Sequence, residues 1–240
     1  MTLVAEREGA VCAEAEAYFG DEPPPLGKHL NVTVLYTRRG LRGRGLGSAL
    51  MLALIERARE RGCEALSVSN ASAPGFYSRF GLACWRRWRE LTLRADLRNL
   101  LYERNPFELA PAPLSPGWGM ALGGVGSAAR IWDRLDPDER PPEDARSPET
   151  LVAAELAVRS GRERARVVLE DKPFTAGAVT AYVWTPDCRL SPRMWAALGD
   201  CAARLDRNQI STWADDDRRA DVPAPARWGE EVREVWGLRL

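Results

Sequence analysis

The chain has 240 residues, enough for one large domain or two small ones, and its 34 Lys and Arg balance 34 Asp and Glu, so no global field draws it to nucleic acid or to an anionic membrane. Five cysteines (Cys12, Cys63, Cys84, Cys188, Cys201) make an odd set with no C-x-x-C pair, which argues against a disulfide framework and a zinc site and fits a reducing, cytoplasmic setting. The single histidine, His29, leaves histidine-based triads and metal clusters without their parts, and nowhere do about 18 uncharged apolar residues run together as a membrane span requires.

In chain order, Thr2 to Ala5 and Val11 to Tyr18 predict a β-hairpin turning at Arg7, Glu8 and Gly9. In its second strand Val11, Ala13, Ala15 and Ala17 share a face, and Cys12, Glu14, Glu16 and Tyr18 lie opposite. Gly20 to Gly27 holds three prolines, which lack amide donors, and is expected to be a loop. Leu30 to Tyr36 (LNVTVLY) is β-branched and aromatic, the composition of a buried strand. After the turn TRRGLRGRGLG, Ser48 to Arg61 is built of strong helix formers and stops at Gly62. Ala65 to Ser69 then reads as a strand, Ala73 to Phe80 as a short helix ended by Gly81, and Trp85 to Leu93 as a strand.

Prolines crowd the next stretch, with helix expected around Ser127 to Leu135. Beyond it, Pro148 to Val158 is expected to be helical, Arg164 to Leu169 and Ala176 to Trp184 to be strands, and Pro192 to Leu205 to be a helix. Gln209 to Trp213 follows as a short strand, Ala224 to Val232 as a short helix, and Arg233 to Leu240 as a terminal strand. The second half thus repeats the element order of the first, behind two extra helices. We expect domains at 1–100 and 116–240, joined by a linker at 101–115.

The chemistry concentrates in one turn. Lys28 to Ile55 contains no Asp or Glu, while Arg38, Arg39, Arg42 and Arg44 fall between the buried strand and the long helix. Gly40, Gly43, Gly45 and Gly47 let the backbone approach a ligand, and the unpaired amides of the helix's first turn point into the same gap. Such a nest binds phosphate oxygens, and a diphosphate matches a run of amide donors. The turn lacks both the G-K-[ST] ending of a P-loop and the G-x-G-x-x-G spacing of a dinucleotide fold. A solvated turn or an RNA-touching Arg/Gly segment is the alternative; the flanking strand and helix and the neutral charge argue against RNA.

Arg42-Gly43-Arg44-Gly45-Leu46-Gly47 resembles the R/Q-x-x-G-x-G/A signature with which GNAT acetyltransferases hold the pyrophosphate of coenzyme A. Asn70-Ala71-Ser72-Ala73-Pro74-Gly75-Phe76-Tyr77, continuing to Gly81 and Leu82, is similar to that family's N-x-x-A-x-x-x-Y-x-x-x-G-F segment, with Leu82 for the usual Phe. The likeness covers about residues 1–95. It implies an α/β (α+β) fold of two GNAT-like mixed-sheet domains, the first lacking the family's usual opening strand and helices. It implies acetyl-CoA as co-substrate, no metal, and a small-molecule or peptide amine as acceptor. By the same likeness Leu35, Tyr36 and Thr37 lie along the pantetheine arm. The pyrophosphate would meet Arg42, Gly43, Arg44, Gly45, Leu46, Gly47 and Ser48, with Asn70 near the coenzyme and Tyr77 beside the thiol.

A departing thiolate needs a proton, and a phenol of ordinary pKa near 10 can supply one, which suits Tyr77. Candidate bases for the amine are Glu14 and Glu16, with His29 and water as alternatives. The missing opening portion commonly walls the acceptor pocket. The second half, a partner subunit, as in a homodimer, or an incomplete gene start would account for the gap. In the second half the corresponding turn, Thr185 to Pro192 (TPDCRLSP), has no glycine and carries Asp187, so that domain is expected to bind no coenzyme A. The remaining reading is a non-catalytic sensor or assembly module that keeps the coenzyme site. The nine tryptophans read as core or domain contact, and Asp215 to Asp217 with Arg218 and Arg219 reads as a solvated loop.

Overall fold

The computed structural model describes residues 1–22, 26–69, 71–95, 118–124, 151–157, 163–172, 174–222 and 226–240. The expected linker at 101–115, the helix around Ser127 to Leu135 and the site residue Asn70 lie outside them. The first elements are β1 (Thr2–Arg7), β2 (Ala10–Glu22), β3 (Gly27–Thr37), α1 (Leu46–Glu60), β4 (Ala65–Ser69), α2 (Pro74–Tyr77) and β5 (Ala83–Arg94). Then come β6 (Gly119–Leu122), β7 (Leu151–Ala157), β8 (Arg164–Asp171), β9 (Ala178–Thr185), α3 (Pro192–Arg204), β10 (Gln209–Asp215) and β11 (Arg227–Arg239).

These elements form two compact units, one of Met1–Glu22, Leu26–Arg86 and Arg233–Leu240, the other of Arg87–Val232. The expected domain division left the C-terminal strand with the second half, whereas Arg233–Leu240 falls in the first unit.

In the first unit β1 pairs antiparallel with β2, β2 antiparallel with β3, and β3 parallel with β4. The C-terminal part of β11 closes the order antiparallel to β4, from Val235 opposite Ser69 to Arg239 opposite Ala65. α1 forms because its residues are strong helix formers, and it ends where Gly62 takes φ 65° and Cys63 donates back to the Ala58 carbonyl. It buries Leu50, Met51, Leu54, Ile55 and Ala58 in one core with Ala13, Ala15, Ala17, Leu30, Val32, Leu66 and Val68. The three alanines keep that sheet face low, so the helix packs closely. Leu54 is fully buried, and its truncation to alanine would cost about 2–5 kcal/mol.

In the second unit β7 pairs antiparallel with β8, β8 antiparallel with β9, and β9 parallel with β10. β5 lies antiparallel to the far side of β10. Met194, Trp195, Leu198 and Cys201 of α3 pack with Val167, Leu169, Ala181 and Ile210. Trp88, Trp184 and Trp195 are core residues, as their spacing predicts. The two units therefore share one order, three strands, a helix and a parallel strand. In each, the last strand comes from the other half of the sequence.

Three expectations need correcting, and one strand was not expected. The helix expected over Pro148 to Val158 does not form in its described part: Leu151–Ala157 is strand β7, because ladder pairing with β8 overrides the helix propensity of its Ala, Leu and Glu. The short helix expected over Ala224 to Val232 is replaced in its described part by β11, which runs unbroken from Arg227. The expected loop at Gly20 to Gly27 is shorter, because Gly20, Asp21 and Glu22 still pair with His29, Lys28 and Gly27. Strand β6 was not anticipated, its four residues being too few for a periodic signal.

Candidate functional site

The site grows from the end of a parallel strand pair. β3 and β4 pair in parallel from His29 opposite Ala65 to Val32 opposite Val68, and stop there. The β2–β3 register shifts at the same level, where Glu16 faces Val34 and Ala17 faces Val32, so Thr33 is an extra residue. Thr33 fastens this bulge by donating its hydroxyl to the Glu16 carbonyl at 3.1 Å. Such a bulge bends a strand. Beyond it β3 continues on β2 to Thr37 and no longer follows β4. Leu35, Tyr36 and Thr37 of β3 therefore run past the last residue of β4, Ser69, at the carboxyl end where α1 begins.

The turn before α1 is held from behind and open in front. Arg38 donates its amide to the Cys12 carbonyl at 3.0 Å, and Leu41 closes a 3-10 turn on Arg38 at 2.8 Å. Arg42 Nε reaches the Thr37 carbonyl at 3.3 Å. Gly43 and Gly45 take φ 78° and 81°, left-handed values that favour glycine. A Cβ built at Gly40, Gly43 or Gly45 would meet nothing within 4 Å, so no packing seals this corner.

Gly45 caps α1 with no side-chain hydrogen bond, and the first turn holds no acid. The first helical bond runs from Ala49 to the Gly45 carbonyl, which leaves the amides of Leu46, Gly47 and Ser48 outside the ladder. Arg38, Arg39, Arg42 and Arg44 are exposed around them. Free amides, a helix dipole and four guanidinium groups form a cradle for an anion.

The second motif lies beside the first. Pro74 opens α2, and Phe76 and Tyr77 both donate to the Ala73 carbonyl. A Cβ at Gly47 would touch the Phe76 ring at 3.7 Å and Thr37 Oγ1 at 3.6 Å, so α2 flanks the cradle. Phe76 meets Tyr77 edge-on at 5.2 Å and Phe80 at 5.1 Å, and the Arg79 guanidinium covers its ring at 5.3 Å. Tyr77 is buried, and desolvation pushes its phenol above the usual 10. It stays protonated at neutral pH. Leu82, where the motif usually has Phe, packs in the core.

Glu14 and Glu16 are not brought to that side. They alternate with the buried Ala13, Ala15 and Ala17, so they stand on the sheet face away from α1, with Glu14 half-buried and Glu16 exposed. His29 is fully buried, with Nδ1 2.9 Å from the Gly27 carbonyl. Sequence reasoning missed Asn31. It is 1% exposed and donates to Ser67 Oγ at 2.8 Å and Ser69 Oγ at 3.4 Å, while its Oδ1 has no partner. The signal was there, a lone amide side chain within LNVTVLY.

Residues 1–82 match the family described as Acetyltransferase (GNAT) family. The match covers 82 of the chain's 240 residues. The GNAT likeness in fold extends over the whole chain. A GCN5-related N-acetyltransferase from Kribbella flavida is 16% identical with a TM-score of 0.52, over 100% of this chain and 59% of that one. One from Anabaena variabilis is 9% identical with a TM-score of 0.55, over 98% and 62%. Eis1 from Mycobacterium abscessus is 16% identical with a TM-score of 0.50, over 99% and 64%. The chain thus spans about three-fifths of the length of these structures. No curated protein matches it in sequence.

The second unit handles the equivalent positions differently. β9 and β10 pair in parallel only from Ala178 opposite Gln209 to Thr180 opposite Ser211. Where they part, β6 enters: Leu122 pairs with Val183 of β9 and lies opposite Ala214 of β10. The start of α3 is also closed by its own side chains. Ser191 Oγ accepts from the Met194 amide at 3.2 Å and bonds Glu163, and Asp187 Oδ1 accepts from the Arg189 amide at 3.1 Å. Asp216 is held by Arg89 and Arg219, at 2.7 and 2.8 Å. Among the described residues no group of His, Cys, Asp and Glu is placed to hold a metal ion, and no helix is long and apolar enough to cross a membrane.

Proposed function

We propose that residues 1–82 form a GNAT-family domain that binds acetyl-CoA with its diphosphate on the amides of Arg42 to Ser48 and transfers the acetyl group to a primary amine. The observation that carries this reading is the unsealed glycine corner at the start of α1, where a Cβ at Gly43 or Gly45 meets nothing. An open left-handed turn feeding uncapped amides has no packing role; a ligand gives it one. The pantetheine arm would run along Leu35 to Thr37, where β3 extends past the end of β4, which brings the thioester toward Tyr77.

The amine nitrogen attacks the thioester carbonyl carbon, and the resulting tetrahedral species collapses by breaking the carbon–sulfur bond. The thiolate takes the Tyr77 phenolic proton, and the nitrogen loses its own proton to a carboxylate or water. Tyr77 regains a proton from solvent. The products are the acetylated amine and free coenzyme A. Positioning supplies much of such a rate, and the phenol adds about 10²- to 10⁴-fold.

We further propose that the second unit binds no coenzyme A. The inserted strand β6, the Ser191 cap and Asp187 together support this. A cytoplasmic location fits an odd cysteine set with no C-x-x-C pair. The test is a thiol-release assay with acetyl-CoA and a panel of primary amines, run beside calorimetric titration of coenzyme A. Transfer predicts thiol release with at least one amine and one coenzyme per chain. Binding without release from any amine would make the domain a sensor, and two coenzymes per chain would refute the reading of the second unit.

A further inference from the structure

Of the chain's 34 Lys and Arg, only Lys28 and Lys172 are lysines. Toward an acetyl thioester the two residue types differ in kind. A lysine amine attacks a thioester carbonyl once it has lost its proton, whereas a guanidinium keeps its proton and does not react. The four cations of the cradle, Arg38, Arg39, Arg42 and Arg44, are therefore inert toward acetyl-CoA, and acetylation of a side-chain amine has two places to go.

Access to solvent does not separate these two. Lys28 is exposed, and the Lys172 side chain is 32% exposed. Their partners do. Lys172 Nζ donates to Glu90 Oε1 at 2.9 Å and to Ser211 Oγ at 2.8 Å, and the Ser211 hydroxyl itself donates to Glu90 Oε1 at 3.1 Å. Before it can attack, the Lys172 nitrogen must leave that triangle. Lys28, the second residue of β3, is fixed through its backbone instead: it pairs with Asp21 in the ladder, and its carbonyl accepts from the Glu64 amide at 2.6 Å. Its ammonium makes no hydrogen bond or ion pair among the described residues. Beside it stands Gly62, which has no side chain to cover it; a Cβ there would lie 3.9 Å from Lys28 Nζ.

We infer that Lys28 is the chain's side-chain acetylation site, modified from solution by an acetyl thioester without help from the cradle. Thr37, at the cradle, is nine residues further along β3, about 30 Å at the rise of an extended strand. An acetyl group held beside Tyr77 does not reach Lys28 of the same chain. In the reaction the Nζ lone pair attacks the thioester carbonyl carbon, the carbon–sulfur bond breaks and an amide forms. The nitrogen gives its proton to solvent, the departing thiolate takes one up, and the chain loses one positive charge.

The test is peptide mapping by mass spectrometry after timed incubation of the full chain in mildly alkaline buffer with two donors. One is acetyl-CoA. The other is the acetyl thioester of N-acetylcysteamine, which carries no phosphate and so bypasses the cradle. With either donor Lys28 is expected to react at least about fivefold faster than Lys172, the scale of one exposed ion pair. In urea, where the Glu90 and Ser211 contacts are lost, the two lysines should react alike. Glu90→Gln, its folding checked by thermal melting, should raise the Lys172 rate and leave that of Lys28 unchanged. Lys172 reacting as fast as Lys28 in the folded chain, a preference that persists in urea, or modification of Lys28 by acetyl-CoA alone overturns the assignment. Because the phosphate-free donor needs no cradle, the result stands whether or not the domain transfers acetyl groups to a free amine.

Discussion

Gly45→Ala separates ligand binding from folding. Gly45 takes φ 81°, and Gly9, in the β1–β2 turn, takes φ 77°. A Cβ at either position meets nothing within 4 Å, so neither substitution clashes with the protein. Each forces an L-residue into the left-handed region, at a cost of about 1–2 kcal/mol. The two variants should therefore lower the unfolding midpoint by similar amounts. Their effects on coenzyme A should differ, because the Gly45 methyl would stand where the diphosphate meets the Leu46 and Gly47 amides. Losing one hydrogen bond to a charged group costs about 1.5–3 kcal/mol, or roughly 10- to 150-fold in dissociation constant. Calorimetric titration of both variants, each checked by thermal melting, reads the contrast. If Gly45→Ala binds coenzyme A as tightly as Gly9→Ala does, the cradle is not the diphosphate site.

Other predictions follow from particular contacts. Tyr77→Phe should lower kcat by about 100-fold or more and leave coenzyme affinity within twofold, read by thiol release and titration. Because burial raises the Tyr77 pKa, its phenol remains protonated through neutral pH, so no loss of rate below about pH 10 should trace to its ionisation. Removal of Arg233–Leu240 should abolish coenzyme binding although the cradle is about 190 residues away in sequence. It strips β4 of its partner from Ser69 to Ala65, and titration of the truncated chain checks it. The Arg89 guanidinium holds the Asp216 carboxyl below its ordinary value. A carboxylate lowered on folding contributes stability fully present above its unfolded pKa and lost as pH falls through the folded one. Asp216→Asn should thus cost about 1–2 kcal/mol at neutral pH and nothing once pH has fallen below the lowered folded value, in denaturant titrations at several pH values.

The parts of the site that were legible in the sequence are the local ones. A Gly-rich turn before a run of helix formers specifies α1 and its open start through residues within about 20 positions, and Gly62 and Gly81 mark stops that depend on their own φ. What the sequence hid depends on partners. β7 is spelled in helix-forming residues, and only its ladder with β8 makes it a strand. Nothing near Ala65 announces that its neighbour is Arg239, nor near Arg94 that its neighbour is Gln209. The exchange of last strands between the two halves was therefore invisible. Glu14 and Glu16 could be assigned to one face by alternation, but not related to Tyr77. That relation depends on which face α1 covers, and the alanines of β2 decide it by their burial. Asn31 was passed over because one amide in an apolar strand reads as a pairing detail until its oxygen is found without a donor.

The central claim is tested most directly by a crystal structure of the full chain with coenzyme A. The account predicts one coenzyme per chain, its diphosphate oxygens within hydrogen-bonding reach of the amides between Arg42 and Ser48 and its sulfur beside Tyr77. A diphosphate bound at the start of α3, or anywhere that leaves the Gly43 and Gly45 corner empty, would contradict it.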